Sequence, residues 1–276
     1  MDSGELKIKV LVIVFAFCFV TLSNISASSS ETISSRNCQI ALGAWSEVKI
    51  NRLISDIQPY SPSKRISMIS EKFLNTSYEA HTLIGSYEDP EKLVVNLDGI
   101  DCFTFLDYVE ALRLAGNYSS FIDNIINIRY KKSRISYDHR NHFFSDWKSN
   151  NADHVEDVTR EVGLNKTEIL SKNINLKKKG SFWLKGIKSQ KRDLLVISVS
   201  NIDKEILSRL KNGDYIGLYS TQKGLDAYHL GIFIRNEKGS FLRHASLSDK
   251  KVLDSPFLDY LQKTNGIIVY RPKSNT

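Results

Sequence analysis

The chain has 276 residues, of which 41% are hydrophobic and 25% charged. That composition excludes a disordered chain, and the length can bury a sizeable core without a disulfide framework. The net charge of +7 suits an anionic polymer such as cell wall, but the basic residues are scattered, with one run at Lys177 to Lys179, which argues against a nucleic-acid surface.

Lys7 and Lys9 precede an apolar run, Val10 to Leu22, and small polar residues follow (NISASSS). This order predicts a secretory signal peptide over residues 1–27, with cleavage near Ala27 or Ser28. An uncleaved anchor is the alternative, but the run falls short of the roughly 20 apolar residues that a span needs. Cys18 has no small residue before it, so no lipoprotein site is expected there. The mature protein is expected to be exported, periplasmic or else secreted, with no stable membrane insertion. It keeps two cysteines, Cys38 and Cys102, whose spacing leaves pairing open.

A serine-rich lead-in, 28–37, precedes a single domain over 38–276. Ala41, Trp45, Val48 and Ile54 recur at helical spacing. SPSKRISMISEKFL predicts a second helix, with Ser61 as cap, Pro62 in the first turn, and Ile66, Ile69 and Phe73 on one face. GIDCFTFLDYVEALRLAG and FIDNIINI predict a third and a fourth. The stretch from about 129 to 190 is polar and reads as a loop-rich insertion with short helices. Beyond it, LLVISVS, GDYIGLYS, HLGIFIR, SFLRHAS and GIIVYRP read as strands. DKEILSRL and residues 257–261 read as short helices, and NEKG as a hairpin loop. Helices first and an antiparallel sheet afterwards is the order of an α+β fold.

Three residues of this plan could carry chemistry. Cys102 opens the third helix on the face shared with Phe105, Leu106, Val109 and Leu112. Asp101 can cap that helix. A thiol there meets the positive end of the macrodipole, which favours thiolate, and nearby amides can hold an oxyanion. A cysteine nucleophile needs a base within reach. His229 opens one strand of the predicted hairpin and His244 lies near the end of the other, so pairing sets them side by side, with Gly231 leaving room for close backbone approach. One ring could take the thiol proton while the second fixes its orientation. Each residue alone is more often a core residue. A Cys/His/His zinc site is the weaker alternative, because no short ligand spacing or fourth ligand is apparent. No GxSxG, GxGxxG or P-loop pattern is present.

The series FLNTSYEAHTL, LVVNLDGIDCFTFLDYVEAL, IRYKKSRISYDHRNHFFSDW, LKNGDYIGLYSTQKGLDAYHLGIFI and LRHAS resembles the N-acetylmuramoyl-L-alanine amidase-like branch of the NlpC superfamily of papain-like cell-wall cysteine hydrolases. The likeness runs in order from Phe73 to Pro272. It implies a papain-like NlpC-type fold, with the nucleophile helix packed on the sheet. It implies Cys102 as nucleophile, His229 as general base and then acid, and His244 as the orienting third member. Tyr78, Arg140, His142 and Trp147 are implied as substrate contacts, and Asp226 as a turn residue. No cofactor or metal is implied. The partner is peptidoglycan or muropeptides, and the protein is expected to be a monomer. The chain departs from the family's pattern at His81, where glycine is usual, at Phe103, where Val or Thr is usual, and in the lysine-rich stretch around Lys177. The expected reaction is cleavage of the amide between N-acetylmuramic acid and L-alanine. The alternatives are a stem-peptide endopeptidase, for example after γ-D-glutamate, and a non-catalytic cell-wall-binding module.

Overall fold

The computed structural model describes residues 38–274; the predicted signal peptide and lead-in lie outside the described residues. Strand β1 (Cys38–Ala41) pairs in parallel with β3 (Leu93–Asn96). Helix α1 (Glu47–Ile57) starts at Ser46, whose hydroxyl accepts from the Lys49 amide. Ile50, Leu53, Ile54 and Ile57 form its buried face. Ala41 and Trp45 precede the helix and Val48 is 76% exposed, so the predicted spacing ran across a turn rather than along one face. Helix α2 (Pro62–Glu71) begins as expected at Pro62, although the Ser61 hydroxyl makes no capping bond. Helices α3 (Cys102–Leu114) and α4 (Tyr118–Arg129) follow, each opened by a capping box, on Asp101 and on Asn117.

A ten-stranded sheet carries the second half of the chain. Its order is β4 (Gly99–Ile100), β2 (Ser77–Tyr78), β13 (Lys251–Pro256), β12 (Gly239–Ser246), β11 (Ala227–Asn236), β10 (Tyr215–Tyr219), β14 (Gly266–Pro272), β9 (Gln190–Ser198), β6 (Thr167–Ile174), with β5 (Val155–Asp157) also on β14. All its pairings are antiparallel except β2 with β4, so the sheet is mixed at that edge. The region read as a loop-rich insertion contributes more than loops. It holds α5 (Phe144–Asn150), α6 (Thr159–Gly163), the long edge strand β6 and a small hairpin, β7 (Leu176–Lys178) with β8 (Ser181–Phe182). β6 escaped prediction because only its last residue, Ile174, is buried, leaving no apolar alternation to read. Helices α7 (Lys204–Arg209) and α8 (Phe257–Leu261) complete eight α-helices among the described residues. None is long and apolar enough to cross a membrane.

The strands alternate between two cores. Tyr215, Leu230, Ile232 and Ile268 face the cluster formed with α1 to α5. Ile216, Leu218, Phe233, Ile267 and Val269 face a second cluster with Val162, Ile206 and Phe257. This is the two-period logic of a sheet covered on both faces. Helix α3 rests across β11 and β12, which brings its first turn to the strands that carry the histidines.

One close approach tests this packing. A Cβ at Gly217 would lie 2.5 Å from the Phe144 ring, itself stacked on Tyr270 at 4.2 Å. Gly217→Val is therefore expected to destabilise the fold by about 1–3 kcal/mol, read as a lower urea midpoint at unchanged slope.

Candidate active site

Asp101 builds the start of α3. Its Oδ1 accepts from the amides of Phe103 (2.9 Å) and Thr104 (2.7 Å), while the Thr104 hydroxyl accepts from the Asp101 amide at 2.9 Å. The cap takes two of the first-turn amides expected to stand free for an oxyanion and leaves that of Cys102 outside it. The backbone N–H groups of Leu230, Cys102 and Phe103 face the sulfur and favour thiolate. They lose to burial and then to the Asp101 charge, which together push the thiol up to about 12. At rest the Cys102 side chain is a thiol, contrary to the expectation from the helix dipole, because desolvation outweighs it. Cys38 and Cys102 are not joined in a disulfide.

The hairpin does what its sequence promised. β11 and β12 pair with Ile232 opposite Arg243 and Asn236 opposite Gly239, which leaves Glu237 and Lys238 as the loop. The same register sets His229 and His244 as diagonal neighbours on one face. A Cβ at Gly231 would meet the Arg243 carbonyl at 2.9 Å, so the glycine permits this close approach. His229 Nε2 and His244 Nδ1 are 2.8 Å apart, and His244 Nε2 is 3.0 Å from Ser255 Oγ on β13. Burial, followed by His244, holds His229 low at about 3, and burial holds His244 at about 4. Both rings are therefore neutral at pH 7. A neutral pair has two proton arrangements. If His244 Nε2–H donates to Ser255, His229 Nε2–H donates to His244 and His229 Nδ1 is left as a free base. If Ser255 donates instead, His229 Nδ1 carries a proton and cannot accept one. Only the first arrangement serves a nucleophile. The two rings turn these nitrogens to each other, the arrangement a proton relay needs.

Tyr260 of α8 stacks on His229 (6.2 Å) and meets His244 edge-on (4.8 Å). Cys102 and His229 line one cleft of about 270 Å³, together with Phe103, His142, Phe143 and Trp183. The Leu230 amide that faces the sulfur belongs to the residue after His229.

The other expected site residues divide. Tyr78 is half-buried, and its phenol is raised by burial and then by the Cys102 and Asp101 charges, which places it near Cys102. His142 lines the cleft, and its Nε2 lies 2.7 Å from the Tyr137 carbonyl. Arg140 lies off this cleft, in an adjoining polar recess that His142 also lines. Trp147 is a correction: it is fully buried, edge-on to Tyr215 at 5.2 Å, and its Nε1 donates to Asp107 Oδ1 at 3.1 Å. It is a wall of the core and touches no groove. Asp226 ties its turn to the start of α5, its carboxylate accepting from the Ser145 amide there and from the following Ala227 amide. Lys177 lies in β7, with its ammonium over the Trp183 ring at 4.4 Å, so this part of the lysine run belongs to an organised hairpin. His81 has φ +62°, the left-handed region that explains why glycine is usual there. Ser255, Tyr260 and Trp183 were not foreseen. Ser255 sits two residues beyond the partner of His244 on the neighbouring strand, a signal available only once β13 is recognised.

Comparison with known proteins adds a second line of evidence. Residues 68–267 match the model of the N-acetylmuramoyl-L-alanine amidase-like family. The chain is similar to a crystal structure of an N-acetylmuramoyl-L-alanine amidase from Bacteroides uniformis. The two share 30% identity over 77% of this chain and 99% of that one, with a TM-score of 0.65. It is also similar to a structure described as a putative xylanase from Bacteroides fragilis, at 28% identity over 74% and 98%, with a TM-score of 0.61. A Legionella pneumophila structure shares the fold, at 24% identity over 82% and 94%, with a TM-score of 0.70. A search of curated proteins finds no match.

Two outcomes follow from the geometry. Because the thiol is raised to about 12, alkylation of Cys102 by iodoacetamide should keep rising with pH from about 7 to 10, where a thiolate–imidazolium pair would plateau. Ser255→Ala should lower kcat about tenfold at nearly unchanged KM, since it releases the proton arrangement and touches no substrate.

Proposed function

Because the chain belongs to the N-acetylmuramoyl-L-alanine amidase-like family, we propose that it is an exported cysteine amidohydrolase. Its proposed substrate is the amide between the lactyl group of N-acetylmuramic acid and L-alanine, in peptidoglycan fragments. The observation that carries this reading is the convergence of Cys102 and the His229–His244–Ser255 chain on one cleft. A papain-like NlpC arrangement, with a nucleophile helix laid across a histidine hairpin, is the corresponding reading of the fold. The charged, apolar and small-residue order of residues 1–27, read as a signal peptide, supports work in the periplasm.

The chemistry follows from the resting charges. Thiol and imidazole are both neutral, so His229 Nδ1 takes the proton as the sulfur attacks the lactyl carbonyl, and charge forms only in the transition state. The Cys102 amide, left outside the Asp101 cap, is placed to hold the oxyanion. Tyr78, whose raised phenol stays protonated, is the second donor we assign. The imidazolium of His229 then protonates the departing amine of L-alanine. The resulting thioester is hydrolysed by water, with His229 again as base. His244 stabilises the imidazolium through the 2.8 Å bond.

Mass spectrometry of muropeptides incubated with the mature protein tests this. The expected products are free stem peptides beginning with L-alanine, absent with Cys102→Ala and reduced by at least about a thousandfold with His229→Ala. Cleavage within the peptide would make the enzyme an endopeptidase. Intact substrate under reducing conditions would favour a binding module.

A further inference from the structure

We propose that the polar recess beside the cleft is a carboxylate subsite that receives the acidic stem peptide, an assignment that rests on the amidase reading. The recess, of about 270 Å³, is lined by Asp101, Asp107, Arg129, Arg140 and His142 among others. Its decisive feature is Arg129, 1% exposed. The guanidinium gives Nε to Asp107 Oδ2 at 2.8 Å and Nη1 to the Val94 carbonyl at 2.6 Å, and Nη2 has no partner. A buried cationic donor left unmet is costly, and a ligand acceptor relieves that cost.

The acids already present do not fill the role. Asp101 Oδ1 is shared by the Phe103 and Thr104 amides and the Thr104 hydroxyl. Asp107 is divided between Arg129 and Trp147. Glu91, the partner of Arg140, spends Oε1 on Arg140 and Tyr130, and its Oε2 is buried without a partner, so it does not meet Arg129 Nη2 either.

Position selects the ligand. Phe103 and His142 line both the recess and the cleft, so the two spaces meet at Cys102's neighbour. The cleft beyond is walled by Phe143, Trp183, Leu184 and Leu225, surfaces suited to the face of a sugar ring and the lactyl methyl. The N-acetylmuramoyl side carries no free acid once its lactyl group is amidated. The peptide side carries glutamate carboxylates. The sugar therefore lies in the apolar cleft, and the leaving peptide lies in the recess with a carboxylate on Arg129 and Arg140.

The test uses muramoyl-L-alanyl-D-glutamate and its bis-amide, titrated by calorimetry into the full Cys102→Ala protein, which holds either uncleaved. The acid is expected to bind at least about tenfold tighter than the bis-amide. Arg129→Lys keeps a charge for Asp107 but removes the free donor, and should narrow that gap. Arg140→Gln, at a less buried position, should narrow it too and serves if Arg129→Lys fails to fold. Equal affinities, no binding of either, or a gap that survives these substitutions would overturn the subsite. Wild-type cleavage of the same two compounds is read separately. A binding gap without cleavage would sink the amidase reading and leave the subsite, and cleavage without a gap would do the reverse.

Discussion

The site depends on a helix that is buried on every side. All residues of α3 from Thr104 to Arg113 are buried, including three that carry charge, Asp107, Glu110 and Arg113. Each of these has a fixed answer inside the protein. Glu110 and Arg113 form a two-pronged pair, both bonds 2.7 Å, and Tyr215 of β10 donates to the same carboxylate at 2.6 Å. Asp107 takes Arg129 from α4 and Trp147 from α5. Removing one partner of such a pair strands a buried charge, at a cost of about 3–5 kcal/mol. The helix can therefore neither roll nor slide, and the first-turn cysteine is aimed by contacts made one to three turns further along.

That constraint explains which parts were legible in the sequence. Asp101, Cys102 and the Phe105, Leu106, Val109 series declare a capped helix, and the apolar alternation of HLGIFIR and SFLRHAS declares a hairpin; both are short-range patterns. Register then places His229 and His244 without further information. Ser255 was hidden because KVLDSP carries a terminal proline and only one fully buried residue, Val252, so β13 offers no strand signature. Arg129 was hidden because an arginine at the end of an amphipathic helix ordinarily points to water, and only the tertiary structure turns this one onto Asp107. Trp147 was misassigned for the opposite reason. It stands in a family-like series, RNHFFSDW, but a series does not say where a ring points, and the tryptophan fills the space between α5 and β10.

Asp101 links folding to chemistry at a price in reactivity. A carboxylate at the N-cap is the best available answer to unpaired amides, and the charge that makes it a good cap also opposes a thiolate on the next residue. With burial acting the same way on the sulfur and against charge on both histidines, the site rests neutral. In the reaction we propose, proton transfer is thereby confined to the moment of attack, and the orientation of the relay becomes decisive. Tyr260, packed on both imidazoles, and Ser255, bonded to the second, restrict that orientation from outside the reacting pair.

The residues proposed for catalysis and for recognition stand on different kinds of structure. Cys102 and the proposed relay lie on α3, β11, β12 and β13, regular elements whose positions are set by ladder bonds and a common core. Tyr78 joins them through the sheet edge, its amide donating to the Lys250 carbonyl at 2.8 Å. Most of the proposed substrate walls come instead from outside those elements: Arg140 and His142 follow α4, Leu225 precedes β11, and Trp183 follows the β7–β8 hairpin. That hairpin is fastened to the 220–225 loop by the Asn175 amide on the Gly224 carbonyl and by Trp183 Nε1 on the Lys223 carbonyl. These attachments are few and local, so the wall can be rebuilt without disturbing the relay. The exception is Arg129, which lines the recess yet is locked to α3 through Asp107. This proposed recognition residue is tied into the same buried network that aims Cys102, so a change there is felt by both.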